Sequence, residues 1–434
     1  MEINPVKGTH DIIEDEANLY SSIEYNASML AAFFGFKEIR TPIIEHTPLY
    51  LRSVGEDSDI VTKEMYTFLD KGNRSLTLRP ELTAGVMRSI VSNKLYATND
   101  LPLKYFYHGP CFRYERPQNG RYRQFSQFGV ELVGATSPSQ DAEVILLGQR
   151  LLDTLGLQNV KIHINSLGDD LSRVNYKKAL KDYFKDHIKD MCADCQRRFD
   201  TNPLRILDCK IPEDREIIKG APKMSDYLSD EARDYFDSVI DLLKSVGIEP
   251  IVDDGLVRGL DYYTGVVFEY VLEDGSIGAI GGGGHYKNLL KELGGPDLEG
   301  VGLSFGIERL VYVFSKVHNK TGLSFGPDLY LMGMSPAIIE SNFSLCDILR
   351  TSGFSVEMNY EVKSFKSLFK IADRKHAKFA LIIGDDELKN KQVTVKNLLT
   401  QEQSQVSMED LIKVLPSMLD DYMNELQKRE ENLE

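Results

Sequence analysis

Residues 113 to 131 read RYERPQNGRYRQFSQFGVE. From Arg123 onward, Gln127, Gly129 and Glu131 alternate with Phe128, Val130 and Leu132, the period of two expected of a strand with one packed face and one working face. Arg113 closes an earlier strand-like run. The connection Arg116 to Tyr122 carries Arg116, Arg121, Pro117 and Gly120, so it reads as a turn that projects positive charge. The two runs predict a β-hairpin. A surface hairpin with cross-strand ion pairs is the bland alternative, but the density of cations and the one-sided polarity argue for more. Arginines, an amide and a carboxylate on one face suit a polyanion together with a small polar ligand.

A chain of 434 residues should hold two or three domains, each with its own core. Its 42% apolar and 27% charged content is that of an ordinary globular protein. No run approaches about 18 apolar residues, so no membrane span is expected. The opening MEINPVKGTHDIIEDE turns acidic at once and lacks the apolar core of a secretory signal. Five cysteines without such a signal fit free thiols in a reducing, cytoplasmic setting. A net charge of −15 argues against indiscriminate nucleic-acid binding, but local patches act over short distances. Lys363 to Lys396 holds nine Lys/Arg against four Asp/Glu, a local +5 whose bland reading is a solvated helix face.

Residues 15 to 36 have helical apolar spacing ended by Gly35, and Phe36 to Ile39 reads as a strand. Segments 75–79, 104–113 and 123–133 read as strands and 82–96 as a helix. Successive strands with few helices between them imply an antiparallel sheet. Residues 170 to about 245 are charge-rich and helical in pattern, an insertion. Strands are expected again at 248–253 and 256–272, then a Gly-rich turn at Gly281 to Gly284, and a strand passing into a helix in VGLSFGIERLVYVF. Beyond the loop Asn319 to Gly326, strand-like segments at Leu329–Met334, Ser355–Met358, Ala380–Ile383 and Gln392–Val395 alternate with helices. They predict a separate α/β domain, closed by a helix from Glu409 to Glu434.

Further segments place polar groups where a globular core does not need them. In LTLRPELTAG (Leu76 to Gly85), Pro80 suits a strand-to-helix junction, and Thr83 sits near a helix N-terminus whose free amides favour anions. Glu81 either caps that helix or binds an amino group. In LVRGLDYYTGVVFEY (Leu256 to Tyr270), Tyr and Thr are good strand formers in their own right. Arg258 and Asp261, however, lie in an otherwise apolar run, and buried charges need partners. In GLSFGIERL (Gly302 to Leu310), Arg309 falls in a first helical turn, where a cation is unfavourable, so it calls for an anionic or π-rich partner.

Other segments are set aside. Gly281 to Gly284 lacks the dinucleotide fingerprint, and no phosphate loop of the Gly-Lys-Ser/Thr type occurs. Cys192 and Cys195, with Cys209 and His187 nearby, have part of a zinc spacing but no clean second pair, so no structural metal is expected. Lys223-Met224-Ser225 looks like the start of a class I synthetase loop, but it runs into Asp226 and has no companion motif.

Taken together, the chain resembles the class II aminoacyl-tRNA synthetases, specifically the bacterial histidyl-tRNA synthetases. KGTHDI (Lys7 to Ile12), IRTPIIEHTPLY (Ile39 to Tyr50), FRYERPQNGRYRQF (Phe112 to Phe125), LVRGLDYYTG (Leu256 to Gly265) and GLSFGIERL occur in that family's order, and TNPLRILDCK (Thr201 to Lys210) also matches. The resemblance implies an α+β fold: an antiparallel-sheet catalytic domain over 1–325 with a helical insertion at about 170–245, then a C-terminal α/β anticodon-binding domain over 326–434. It implies activation of L-histidine with ATP and transfer to the 3′ end of tRNA(His), with Mg2+ carried on the ATP phosphates, in a cytoplasmic homodimer.

By resemblance, Arg113 holds the α-phosphate of ATP, Arg309 stacks near the adenine and reaches the γ-phosphate, and Arg258 is the catalytic cation at the α-phosphate. Glu81, Thr83 and Gln127 bind the amino end and neighbouring parts of histidine. Glu131 and Tyr263 grip the imidazole, with Tyr262 lining the pocket. Arg116 and Gln118 are candidates for reading the tRNA acceptor end. Two departures stand out. The family commonly has GGGRYDGL where Gly282 to Leu289 read GGGHYKNL, and Leu82 replaces a common glycine. The alternative is a regulatory histidine-binding paralogue of ATP phosphoribosyltransferase. Such proteins generally lack the C-terminal domain and lose the arginine pattern.

Overall fold

The computed structural model describes residues 3–55, 58–97, 100–118, 120–134, 136–260, 262–318 and 326–431. Asp261 and residues 319–325 of the expected interdomain loop lie outside them. The chain divides into two compact units, Met1–Val317 and His318–Glu434.

In the first unit the described strands are β1 (Lys37–Glu38), β2 (Ile44–His46), β3 (Tyr66–Leu69), β4 (Ser75–Leu78), β5 (Leu103–Phe112), β6 (Gln124–Val133), β7 (Val160–Ser166), β8 (Ile251–Val252), β9 (Val266–Leu272), β10 (Ala279–Tyr286) and β11 (Gly300–Gly306). Eight of them form one sheet in the order β1-β5-β6-β11-β10-β9-β7-β8, antiparallel from β5 through β7. The other three, β2, β4 and β3, make a small antiparallel sheet.

The expected hairpin is β5–β6, with Gly109 opposite Gln127 and Tyr105 opposite Glu131. Phe128, Val130 and Leu132 point into the main core beneath helices Glu14–Phe33 and Pro138–Thr154. Each such side chain stabilises by roughly 2 kcal/mol. A slip of one residue would exchange them for Gln127, Gly129 and Glu131, so the register is strongly specified.

Two expectations need correction. The segment 256–272 is not one long strand: β9 begins at Val266, and Arg258, Tyr262 and Tyr263 lie on a loop before it. Gly265, at φ +62, turns the backbone in a way a strand residue cannot. Gly281 to Gly284 is not a turn but the middle of β10. Its glycines permit close approach: a Cβ at Gly283 would strike the Gly302 carbonyl, and one at Gly282 would lie 2.8 Å from Arg258 Nη1.

The insertion is helical, with Asp170–Phe184, Ala193–Thr201 and Pro212–Ile218 sharing a small core that includes Tyr176, Leu180, Phe184 and Ile206. Helix Asp230–Ser245 instead packs Phe236, Val239 and Leu243 into the main core.

The second unit contains β12 (Leu329–Gly333), β13 (Val356–Met358), β14 (Phe379–Ile383), β15 (Gln392–Asn397) and β16 (Gln403–Ser407) in the order β13-β12-β14-β15-β16. The first three pair in parallel and the last two add antiparallel. β16, sequence QSQVS, was not anticipated; its polar residues carry no strand period. Helices Pro336–Thr351 and Leu411–Glu431 cover this unit's own core, which includes Leu331, Leu349, Leu381 and Leu415.

Candidate active site

The working face of β6, β11, β10 and β9 floors a cavity of about 760 Å³. Glu81, Thr83, Arg113, Gln118, Gln127, Glu131, Arg258, Tyr262, Tyr263 and Arg309 all border it. Arg116, assigned to the tRNA acceptor end by resemblance, is not among the lining groups; it is exposed on the loop joining β5 to β6.

Glu131 is at the buried part of this cavity, 1% exposed. Its Oε1 accepts from Thr83 Oγ1 at 2.7 Å and from the Tyr107 hydroxyl at 3.0 Å, and its Oε2 from the Tyr286 hydroxyl at 2.8 Å. Burial outweighs these donors and pushes the carboxyl up to about 8. Gly302, opposite Glu131 on β11, leaves the space: a Cβ there would collide with Oε2. Tyr107 and Tyr286 were missed in the sequence. Tyr107 shares the odd-numbered face of the hairpin, but which cross-strand neighbour it meets depends on a register that sequence does not reveal.

Glu81 does cap a helix. Its Oε2 accepts from the Thr83 amide at 2.6 Å and its Oε1 from the Ala84 amide at 2.8 Å, at the start of helix Thr83–Ser92. Burial raises its carboxyl against those two amides. The capping and cavity-lining roles coexist, since each carboxylate oxygen keeps a second lone pair.

Around the rest of the cavity guanidinium groups stand among carboxylates, with Glu115 3.9 Å from Arg113 and 3.8 Å from Arg121. Arg113 is anchored by Nε donating to the Pro80 carbonyl at 2.8 Å and stacks over Phe125 at 5.2 Å. Arg309, in the first turn of helix Ile307–Val317, donates to the Ala279 carbonyl. Gly120 of the β5–β6 loop packs over it, and a Cβ there would meet Arg309 Cγ at 3.2 Å. Burial, then the nearby Arg121, hold Arg309 down at about 10. Three arginines, 113, 121 and 309, thus converge on one cavity, an arrangement that favours a polyanion.

Arg258 donates to Glu269 of β9 and stands 5.5 Å from the Tyr263 ring. Burial works against its charge, and Glu269 more than restores it. Tyr262 and Tyr263 pack ring to ring at 4.5 Å. The loop that carries them is held from the insertion, where Arg205 Nη2 donates to the Gly259 carbonyl at 2.7 Å. Arg205, Asp208 and Lys210, all in the TNPLRILDCK segment, border the cavity too.

The departure at His285 has a structural counterpart. Its Nδ1 faces Asp141 Oδ1 and its Nε2 faces Glu299 Oε2, each at 3.0 Å, and Tyr235 donates to the other Asp141 oxygen at 2.8 Å. Burial opposes a charge on this ring, but Asp141 and Glu299 hold it up at about 9. A doubly paired imidazole therefore stands directly before Tyr286.

Comparison with known proteins agrees with this geometry. The family model described as histidyl-tRNA synthetase matches residues 8–310, and one for an anticodon binding domain matches 329–418. A histidine–tRNA ligase of Bacillus licheniformis is 46% identical over 418 residues, covering 96% of this chain and 99% of that protein. One from Bacillus subtilis is 44% identical, covering 96% and 99%. The crystal structure of apo Staphylococcus aureus histidyl-tRNA synthetase superposes with a TM-score of 0.80 at 38% identity, over 95% of this chain and all of that one.

Proposed function

The chain belongs to the histidyl-tRNA synthetase family, and from that premise we propose how its cavity works as a histidine–tRNA ligase. ATP is a substrate of this class. The histidine carboxylate attacks the α-phosphorus, pyrophosphate leaves, and the resulting adenylate gives its acyl group to a 3′-terminal hydroxyl of tRNA(His), releasing AMP. The first step needs no protein nucleophile. It needs alignment and neutralisation of an anionic transition state.

In this reading Arg113 and Arg258 bear on the α-phosphate, and Arg309 lies against the adenine and reaches the γ-phosphate. Mg2+ enters with the substrate, carried on the phosphates. Glu81, Thr83 and Gln127 receive the amino end of histidine. Glu131 and Tyr263 hold the imidazole, and Tyr262 walls the pocket. Arg116 and Gln118 meet the tRNA acceptor end. The observation that carries the reading is one cavity bordered both by the arginine set and by a buried carboxyl fixed by three hydroxyls. Arginines in such numbers fit a triphosphate, and a site built of paired polar groups rejects analogues that leave them unpaired. The regulatory alternative is not favoured, since both the arginine set and the second unit are present.

Residues 1–325 act as the catalytic domain in this account and 326–434 as the anticodon-binding one. Lys363, Lys366, Lys370 and Arg374 are exposed on and just before helix Phe365–Arg374, a cationic face suited to RNA phosphates. Among the described residues no helix is long and apolar enough to cross a membrane. We place the protein in the cytoplasm with its substrates, as a homodimer. The test is charging of tRNA(His) with labelled histidine. The full chain should charge it, and a chain ending at 325 should lose most charging while retaining part of its adenylate formation. A full chain that charges no tRNA would reject the reading.

A further inference from the structure

Three thiols and a carboxylate from the starts of two helices of the insertion meet at one point. The ligand atoms of Cys192, Cys195, Cys209 and Asp214 all lie within 4.8 Å of one another, and only Cys192 is other than buried. Cys192 precedes helix Ala193–Thr201, and Cys195 lies in its first turn. Cys209 precedes helix Pro212–Ile218, and Asp214 lies in that helix's first turn. Two helix N-termini therefore face the cluster. Asp214 accepts from the Cys192 amide at 3.2 Å, and the Ile211 amide faces the Cys209 sulfur. Such amides orient and stabilise anionic ligands.

The spacing is that of coordination rather than of a disulfide. Cys192 and Cys209 have their sulfurs 3.8 Å apart, and the Cys209 thiol donates to Asp214 Oδ2 at 3.1 Å, a proton that a bound ion would replace. A disulfide holds its sulfurs at about 2.05 Å. A tetrahedral zinc ion with Zn–S bonds of about 2.3 Å sets them about 3.8 Å apart. Sequence reading set a metal aside because no second Cys pair follows the first. The fold supplies Asp214 as the fourth ligand, and His187, the nearby candidate in sequence, packs on the Tyr183 ring instead.

We propose that Cys192, Cys195, Cys209 and Asp214 bind one zinc ion that staples the insertion and fixes its 205–210 segment as a wall of the cavity. On binding, three thiol protons pass to solvent and four anionic ligands close the coordination sphere. The insertion's own core is small, and a core of that size commonly needs a staple. Cys209 sits between Asp208 and Lys210, both at the cavity, and four residues after Arg205, which holds the Arg258 loop through Gly259. Arg198, on the helix that Cys195 begins, donates to the Arg205 carbonyl at 3.2 Å and to Asp59 of the cavity rim at 3.1 Å. The ion thus anchors both ends of a wall that no other covalent link holds among the described residues.

The test is metal analysis of the full chain purified without chelators. About one zinc per chain is expected, retained by Cys346→Ser and lost by Cys209→Ser and Asp214→Asn. Because a ligand variant can misfold for other reasons, the wild-type chain is also titrated with a mercurial while released zinc is read with a chromogenic chelator. Release should follow thiol capture in step, and replacement by Co2+ should give the intense near-ultraviolet band of thiolate coordination. A folded chain that holds no zinc, takes up no Co2+ with that band, or carries a Cys192–Cys209 disulfide would overturn the proposal.

Discussion

The hydroxyl of Tyr286 donates to Oε2 of Glu131 at 2.8 Å, across the strand that lies between them. The contact exists because Gly302 of that intervening strand has no side chain to block it. The carboxyl is thereby fixed before any ligand arrives, and its affinity for a proton is set by burial more than by charge.

A pH dependence of histidine binding follows. With Glu131 pushed up to about 8, the empty site holds a neutral carboxyl at pH 7. Free histidine loses its imidazole proton near pH 6.5. Between these values carboxyl and ligand together carry the one proton that an imidazolium–carboxylate pair needs. Above pH 8 a proton must be taken up on binding, and below pH 6.5 one must be released. Histidine affinity is therefore expected to peak between about pH 6.5 and 8. Glu131→Gln should raise Kd for histidine roughly 100-fold, in line with about 3 kcal/mol for losing one partner of a buried charged pair, and should abolish the alkaline fall. Calorimetric titration across pH checks both; an unchanged alkaline limb in the variant would remove Glu131 from the imidazole site.

Arg258 is tied to Glu269 and to the Tyr263 ring, so its guanidinium is preorganised. Arg258→Ala should slow adenylate formation by about 10²–10³-fold while histidine Kd changes little. Since that variant leaves the half-buried Glu269 without its partner, Arg258→Ala with Glu269→Gln separates a folding defect from a catalytic one. Rapid-quench measurement of adenylate decides; near-normal rates in the double variant would reject the role.

His285 gives a stability signature. Its folded value of about 9 lies above the unfolded 6.5, so its contribution is complete below pH 6.5 and lost as pH rises through 9. The shift corresponds to about 3 kcal/mol for this 8% exposed side chain. Glu131 acts over a different window: the folded state keeps its proton longer, so its contribution falls between pH 4.5 and 8 and is flat beyond. His285→Arg, which keeps the charge at every pH, should remove the His285 loss between pH 6.5 and 9 and leave only the Glu131 fall, which ends near pH 8. Denaturant melts at pH 6, 8 and 9.5 read this directly; an unaltered alkaline loss would mean that His285 is not the titrating cation.

Ile44, Phe68 and Leu69, at 48%, 41% and 65% exposed, stand on the small β2-β4-β3 sheet of the isolated chain. Exposed apolar side chains gathered on one small sheet suit an interface. A solution mass near twice the 49.1 kDa of one chain is expected, and a monomeric mass with Leu69→Glu. A monomeric wild type would contradict the assignment.

Much of this was legible in the sequence, because the hairpin alternates strictly. Phe128, Val130 and Leu132 had to be one face and Gln127 and Glu131 the other. The positions that misled share one cause, which is that glycine says little about its surroundings. Gly281 to Gly284 resembles a loop, although in β10 these residues are glycines because Phe305, Gly302 and Arg258 crowd them. Conversely LVRGLDYYTG has strand-forming residues but is held as a loop by tertiary contacts, including the donation from Arg205 to Gly259. Tyr107, Tyr286 and Asp214 were invisible for another reason: each acquires its role only through contact with a distant residue, and register and helix placement are not written locally.

The most direct test of the central claim is histidine-dependent exchange of labelled pyrophosphate into ATP by the purified full chain, which needs no tRNA. The cavity described here should incorporate label when histidine is present and lose that incorporation when histidine is withheld. Folded protein that binds histidine yet exchanges no pyrophosphate would contradict the account.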